Sequence, residues 1–185
     1  RYELSKSTKD LINMKIHDLK YSISNCIDDQ TTLKEISKAI AECDAQLHTN
    51  NEVLDVVLSQ TKMICDDKGI SFSCIADGKI LDGISVGELY SLFCNAIDNA
   101  IECLEKVDDA EKKNLSVVVK KLNEMAFIQI ENYVPDNVTF VDGLPQTTKS
   151  DKQNHGFGVK SMSYIVKKYG GYINFATADN VFSVE

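Results

Sequence analysis

The sequence predicts a two-part α+β protein, with a helical hairpin over residues 1–68 followed by a two-layer α/β sandwich over residues 69–185. Three observations predict it. All nine glycines and both prolines lie at or after Gly69, so the first 68 residues hold neither of the usual helix breakers. Within those residues, apolar side chains recur at alternating steps of three and four, the helical period. Beyond Gly69, short β-rich runs alternate with amphipathic stretches.

In the hairpin, Ile12, Ile16, Leu19, Ile23 and Cys26 follow a 4-3-4-3 spacing. Leu33, Ile36, Ile40, Cys43, Leu47, Leu54, Val57 and Ile64 continue the rhythm as a second helix, missing at polar Asn50 and at Thr61. DDQTT at 28–32 supplies the turn, and Thr32 with Glu35 makes a capping box. A lone hairpin buries one side of each seam. Pairing with a second copy as a four-helix bundle completes the core, so a homodimer is expected.

In the second part, ISFSCIA (70–76) reads as a strand. Ser85 and Glu88 form a capping box opening a helix that runs to about Lys106. LSVVVKK (115–121) and MAFIQIEN (125–132) read as a hairpin across Leu122 to Glu124. From Val134 to Asn154 there is no periodicity and both prolines occur. Structureless segments longer than about 12–15 residues in compact domains are usually functional or disordered, so a lid over about 134–155 is expected, with few apolar anchors. Gly158 to Tyr169 is an amphipathic helix with Val159, Met162, Ile165, Val166 and Tyr169 on one face, and GGYINFA and VFSVE supply two last strands.

Composition narrows the function. The formal charge of −8 argues against nucleic acid or an anionic membrane as the main partner, and 43% hydrophobic residues support a real core. No run approaches the roughly 18–20 apolar residues of a membrane span, and RYELSKSTKD has no signal-peptide pattern. An opening Arg in place of Met leaves room for more chain upstream. The six cysteines, at 26, 43, 65, 74, 94 and 103, make no C-x-x-C pair and read as reduced core residues.

Three constellations can carry chemistry. On the helix LFCNAIDNAIEC (92–103), Asn95, Asp98, Asn99 and Glu102 share one stripe, opposite Leu89, Phe93, Ala96, Ile97, Ala100 and Leu104. A polar stripe is ordinarily a solvated face. Two amides within one turn set this one apart, since an Asn carbonyl is a hard oxygen donor suited to Mg²⁺ with substrate phosphates. The second is HGFGVKS (155–161), where Gly156 and Gly158 at a helix mouth leave N–H groups uncovered for phosphate. It matches neither a P-loop nor a Rossmann turn, and a bare G-x-G is more often a turn. Lys149, in TTK, lies where a lid could lower a cation onto phosphates; a solvated lysine is the alternative. The third is KIHDLKY (15–21), where His17 falls one residue past a seam position and points outward, with Asp18 beside it to orient the imidazole for nucleophilic attack. An outward helical His is ordinarily a surface residue.

Together, NAIDNAIE, TTK, HGFGVKSM and the upstream HDLK resemble the cytoplasmic part of sensor histidine kinases of the peptide-pheromone, Agr-like group, which act in quorum sensing. Their ATP-binding domain belongs to the superfamily of gyrase, Hsp90, histidine kinases and MutL. The resemblance implies a Bergerat-fold ATP-binding domain at 69–185 and a dimerisation and phosphotransfer hairpin at 1–68. It implies ATP and Mg²⁺, with Asn99 as the metal ligand, Asn95 binding phosphate or metal, and Asn132 nearest the adenine-reading position. Lys149, Gly156 and Gly158 would serve the phosphates. It also implies autophosphorylation of His17 with Asp18 assisting, transfer to an aspartate of a response regulator receiver domain, a cytoplasmic location, and a membrane link only through a sensor region outside this chain.

Asn95 stands where the hydrolytic relatives carry a Glu that activates water, which favours transfer over hydrolysis. The Asp-x-Gly-x-Gly box is absent, His155 replaces a glycine common before G-x-G, and Tyr21 stands where strong phosphatases often carry Asn or Thr. Two other readings stay open: a nucleotide-regulated dimeric interaction module without histidine phosphorylation, and an anti-sigma-type serine kinase.

Overall fold

Asn50 adopts the left-handed conformation, φ 64°, and the Asn51 side chain accepts from the Leu54 N–H at 3.1 Å, so a helix starts afresh here. The computed structural model describes residues 47–136, 138–146 and 157–185; the remainder of the expected hairpin, with its turn and the upstream part of its dimer seam, lies outside them. The second hairpin helix is expected to run unbroken past Asn50, but residues 47–51 are not helical and the next helix begins at Glu52. Thr49 reinforces the break, its N–H and hydroxyl both donating to Asp55 Oδ1 at 2.7 Å.

The new helix, α1 (Glu52–Lys68), ends at Gly69 with φ 65°, a residue free to take the left-handed cap. Its Val53, Leu54, Val56, Val57, Leu58 and Cys65 join the core of the sheet that follows, although the glycine distribution had assigned them to the hairpin. Strand β1 (Ser71–Ala76) leads through a short 3₁₀ turn (Gly78–Leu81) into α2 (Val86–Leu104). Leu89, Phe93, Ala96, Ile97, Ala100 and Leu104 are buried, the apolar stripe read from the sequence. Strands β2 (Asn114–Leu122) and β3 (Met125–Tyr133) form the expected hairpin, with Asn123 at φ 55° in its turn.

Within the expected lid, β4 (Phe140–Val141) and β5 (Leu144–Pro145) pair around Asp142 and Gly143, at φ 52° and 75°. Both φ values are positive, as a tight two-residue turn requires, and Phe140 and Leu144 pack on the core. The segment is thus better anchored than its lack of periodicity suggested. Helix α3 (Phe157–Lys168) follows, then β6 (Phe175–Ala178) and β7 (Val181–Val184), turning through Asp179 and Asn180 at φ 50° and 61°. The expected strand from Gly170 starts only at Phe175, because Gly170 and Gly171 close α3.

The five long strands make one sheet in the order β1-β2-β3-β7-β6, with β1–β2 parallel and the other pairs antiparallel. Parallel neighbours need a crossover, which α2 supplies. Leu115, Val117 and Val119 of β2 and Ile130 of β3 are buried together with Phe93 of α2 and Met162 and Ile165 of α3, while Ser71, Ser73 and Ile75 of β1 are exposed. The unit is α+β, with helices packed on the sheet. Among the described residues, no helix is long and apolar enough to cross a membrane.

Candidate functional site

The amide-bearing stripe of α2 sets the site. Asn95 is half-buried, and its Nδ2 donates to Ser91 O at 2.8 Å and Ser91 Oγ at 3.1 Å. This bond to the preceding turn offsets the poor helix propensity of Asn and fixes the carboxamide. Its oxygen then lies against α3, 3.1 Å from where a β-carbon on Gly158 would stand. Glycine at 158 is what lets the start of α3 come this close. Asn99, one turn further along α2, is exposed.

Cys103 continues the stripe by one more turn. Its thiol approaches Tyr133 O at 3.8 Å, and Asn132 donates to Tyr133 O at 2.9 Å through Nδ2. Burial pushes the Cys103 thiol up; Lys106 and a hydrogen bond from Asn132 pull it partly back. Asn132 is 3% exposed, at the end of β3. One face of α2 thus runs from the mouth of α3 to the end of β3, about 12 Å at 1.5 Å per residue from 95 to 103.

At the other end of the helix pair, the expected capping box is replaced. Ser85 makes no side-chain bond to the backbone of its own helix; its Oγ donates to Glu88 Oε2 at 2.6 Å. The Ser85 N–H donates instead to the Tyr169 hydroxyl at 3.0 Å, and that hydroxyl donates to Glu88 Oε2 at 2.7 Å. Lys168 Nζ donates to Glu88 Oε1 at 2.6 Å. These bonds, Lys168 first and then Ser85 and Tyr169, hold the Glu88 carboxyl down to about 2. Between the two ends, the hydroxyls of Ser91 and Ser161 lie 3.5 Å apart.

Of the residues singled out in the sequence, Asn95 and Gly158 are brought together, Asn99 lies on the same stripe, and Asn132 closes its far end. His17, Asp18, Lys149 and Gly156 fall outside the described residues. Ser91 and Cys103 were missed, although each lies four residues from a singled-out Asn. Among the described residues there is no cluster of three or more His, Cys, Asp and Glu that could hold a metal. An exposed amide oxygen at Asn99 fits a Mg²⁺ ion that takes one or two protein ligands and shares its other positions with phosphates and water.

A family model described as the GHKL domain matches residues 84–185. Among solved structures, a nucleotide-free form of the catalytic domain of histidine kinase ThkA has a TM-score of 0.53 at 18% identity, covering 74% of this chain and 91% of that one. Another nucleotide-free form of that domain gives 0.52 at 17%, covering 74% and 90%. At such identities the likeness is one of fold alone. Among curated proteins, the Protein PEP-RELATED DEVELOPMENT ARRESTED 1 homolog, chloroplastic, of Oryza sativa subsp. japonica is 33% identical over 118 residues. That match takes in 62% of this chain and 30% of the relative, so the chain spans less than a third of its length.

Proposed function

The chain belongs to the GHKL domain family, and from that premise we propose that it is the ATP-dependent kinase region of an Agr-like sensor histidine kinase in two-component signalling. The observation that carries the reading is the closure of Asn95 on Gly158. It sets an amide stripe of α2 beside the start of α3, whose first-turn N–H groups have no acceptor within the helix and so favour phosphate. The buried Asn132 at the far end of the stripe supports a base site. With its nitrogen engaged by Tyr133 O, its carbonyl is the acceptor an adenine amino group would meet.

In this proposal Asn99 holds Mg²⁺, with Asn95 next to it, and the ion when bound neutralises phosphate charge. Gly156 and Gly158 leave backbone N–H groups for the phosphates, and Lys149 adds a cation. Asp18 orients the His17 ring. A His17 imidazole nitrogen attacks the γ-phosphorus in line, the bond to the β,γ-bridging oxygen breaks, and ADP leaves. The phosphoryl group then passes to an aspartate of a response regulator receiver domain. Asn95 is a poor general base, which favours transfer over hydrolysis. The chain works as a homodimer through the hairpin residues upstream of α1, in the cytoplasm, joined to a membrane through a sensor region outside this chain.

Incubating the full chain with γ-labelled ATP and Mg²⁺, with and without acid treatment, tests the reading. Acid-labile label that His17→Gln abolishes, without loss of nucleotide affinity, is the expected result. Acid-stable label would assign a serine kinase, and nucleotide binding without any label would assign an interaction module.

A further inference from the structure

Helices α2 and α3 meet along an antiparallel seam at three levels: Glu88 with Lys168 and Tyr169, Ser91 with Ser161, and Asn95 with Gly158. Only the last belongs to the nucleotide site. The first lies about 10 Å from it along α2, seven residues at 1.5 Å each, and has no part in the chemistry proposed above.

The Glu88 cluster differs from an isolated surface ion pair, which contributes little. Its two oxygens accept from three side-chain donors, and the Tyr169 hydroxyl also accepts from the Ser85 N–H, so the first turn of α2 and the last of α3 share one network. The end of α3 is itself fixed. Gly171 N–H donates to Val166 O at 2.9 Å and Gly170 N–H to Lys167 O at 3.0 Å, with Gly170 at φ 74°, which is a Schellman closure. A β-carbon on Gly171 would meet Val166 Cγ1 at 3.0 Å, so glycine at 171 is what lets the turn close this tightly. Tyr169 is thereby delivered to Ser85 and Glu88.

We propose that Glu88, Tyr169 and Lys168 are positioning residues that set the axial seating of α3 on α2, and so hold Gly158 against Asn95 at the nucleotide site. The role rests on the nucleotide reading above. A helix is a stiff rod, so a slide at its C-terminal end appears undiminished at its N-terminal end. Gly158 sits where even a β-carbon would come within 3.1 Å of the Asn95 oxygen, so a slide of α3 changes this approach directly.

The test uses the full chain and its Tyr169→Phe, Glu88→Gln, double and Lys168→Arg variants, with two readouts. These are backbone hydrogen exchange across residues 161–165, the first amides of α3 with an acceptor within the helix, without nucleotide, and Mg-ATP affinity by calorimetry. Tyr169→Phe should speed exchange selectively in that segment and weaken Mg-ATP about fivefold. The double variant should lose no more than the worse single one, as groups in one network do, and Lys168→Arg should keep wild-type values. Exchange unchanged at 161–165, or raised uniformly over the domain, overturns the clamp. Wild-type binding with unchanged Tyr169→Phe affinity also overturns it, and alone. A wild-type chain that binds no nucleotide overturns the nucleotide reading and this role within it together.

Discussion

The carboxamide oxygen of Asn95 stands 3.1 Å from the point a β-carbon on Gly158 would occupy, and the Ser91 bonds to its nitrogen keep it from turning aside. Gly158→Ala should therefore weaken Mg-ATP about tenfold, on the scale of a buried contact displaced by a few tenths of an ångström. Alanine is the better helix former by up to about 1 kcal/mol, so in an Asn95→Ala background, where the clash is gone, the same change should raise stability. Calorimetric titration and thermal unfolding of the four variants check both signs. A Gly158→Ala chain with wild-type affinity would remove Asn95 and Gly158 from the site.

Asn99 is exposed, so Asn99→Ala should alter stability by no more than about 0.5 kcal/mol. Its loss should weaken Mg-ATP more than nucleotide in the presence of a chelator, as the proposed role of the missing oxygen as a metal ligand requires. Equal losses under the two conditions would leave Asn99 a role in binding the nucleotide directly.

Acid should act on Glu88. Its carboxyl lies at about 2 in the fold against an ordinary 4.5, held down first by Lys168 and then by Ser85 and Tyr169. The unfolded chain binds the proton more readily. The stabilisation is therefore complete above about pH 4.5 and is lost as the pH falls toward 2. Urea midpoints taken from neutral pH down through this window should fall less steeply in Glu88→Gln than in the wild type. Parallel acid limbs would mean that the carboxylate contributes nothing through its pKa.

Gly78 carries the segment that leads into α1. A β-carbon there would stand 2.6 Å from Asn51 Cβ and 2.8 Å from Thr49 Oγ1. Thr49 is pinned to Asp55 and Asn51 to Leu54 and Asp82, so neither can yield freely. Gly78→Ala should cost about 1–3 kcal/mol, read from chemical denaturation. A neutral result would show that residues 49–51 shift without loss.

Elements with a strong period were legible: α2 and α3 from their apolar faces, β2 and β3 from alternation. What escaped was decided between distant residues or by short turn signals. Ser85 and Glu88 have the spacing of a capping box, but Tyr169, far along the chain, takes the Ser85 N–H. Asp142-Gly143 was a readable turn signal hidden inside a segment taken as aperiodic. Asn50 was read as one polar miss in a continuous seam, whereas Asn favours both a left-handed residue and a cap. For the site, residue types on α2 named the candidates, but only the packing of α3 could show that Gly158 meets Asn95.

The parallel register of β1 on β2, Ser71 opposite Asn114, carries a consequence for the order of folding. The β2–β3 and β6–β7 hairpins close over short loops and can form within microseconds. Pairing Ser71 with Asn114 must wait for α2 to bridge them, and pairing Ile130 of β3 with Val184 of β7 must wait for nearly the whole C-terminal third. Such long closures are slow, and the Asn95–Gly158 contact belongs to the same late class. During synthesis the chain would acquire its sheet hairpin first and its ability to grip a nucleotide last.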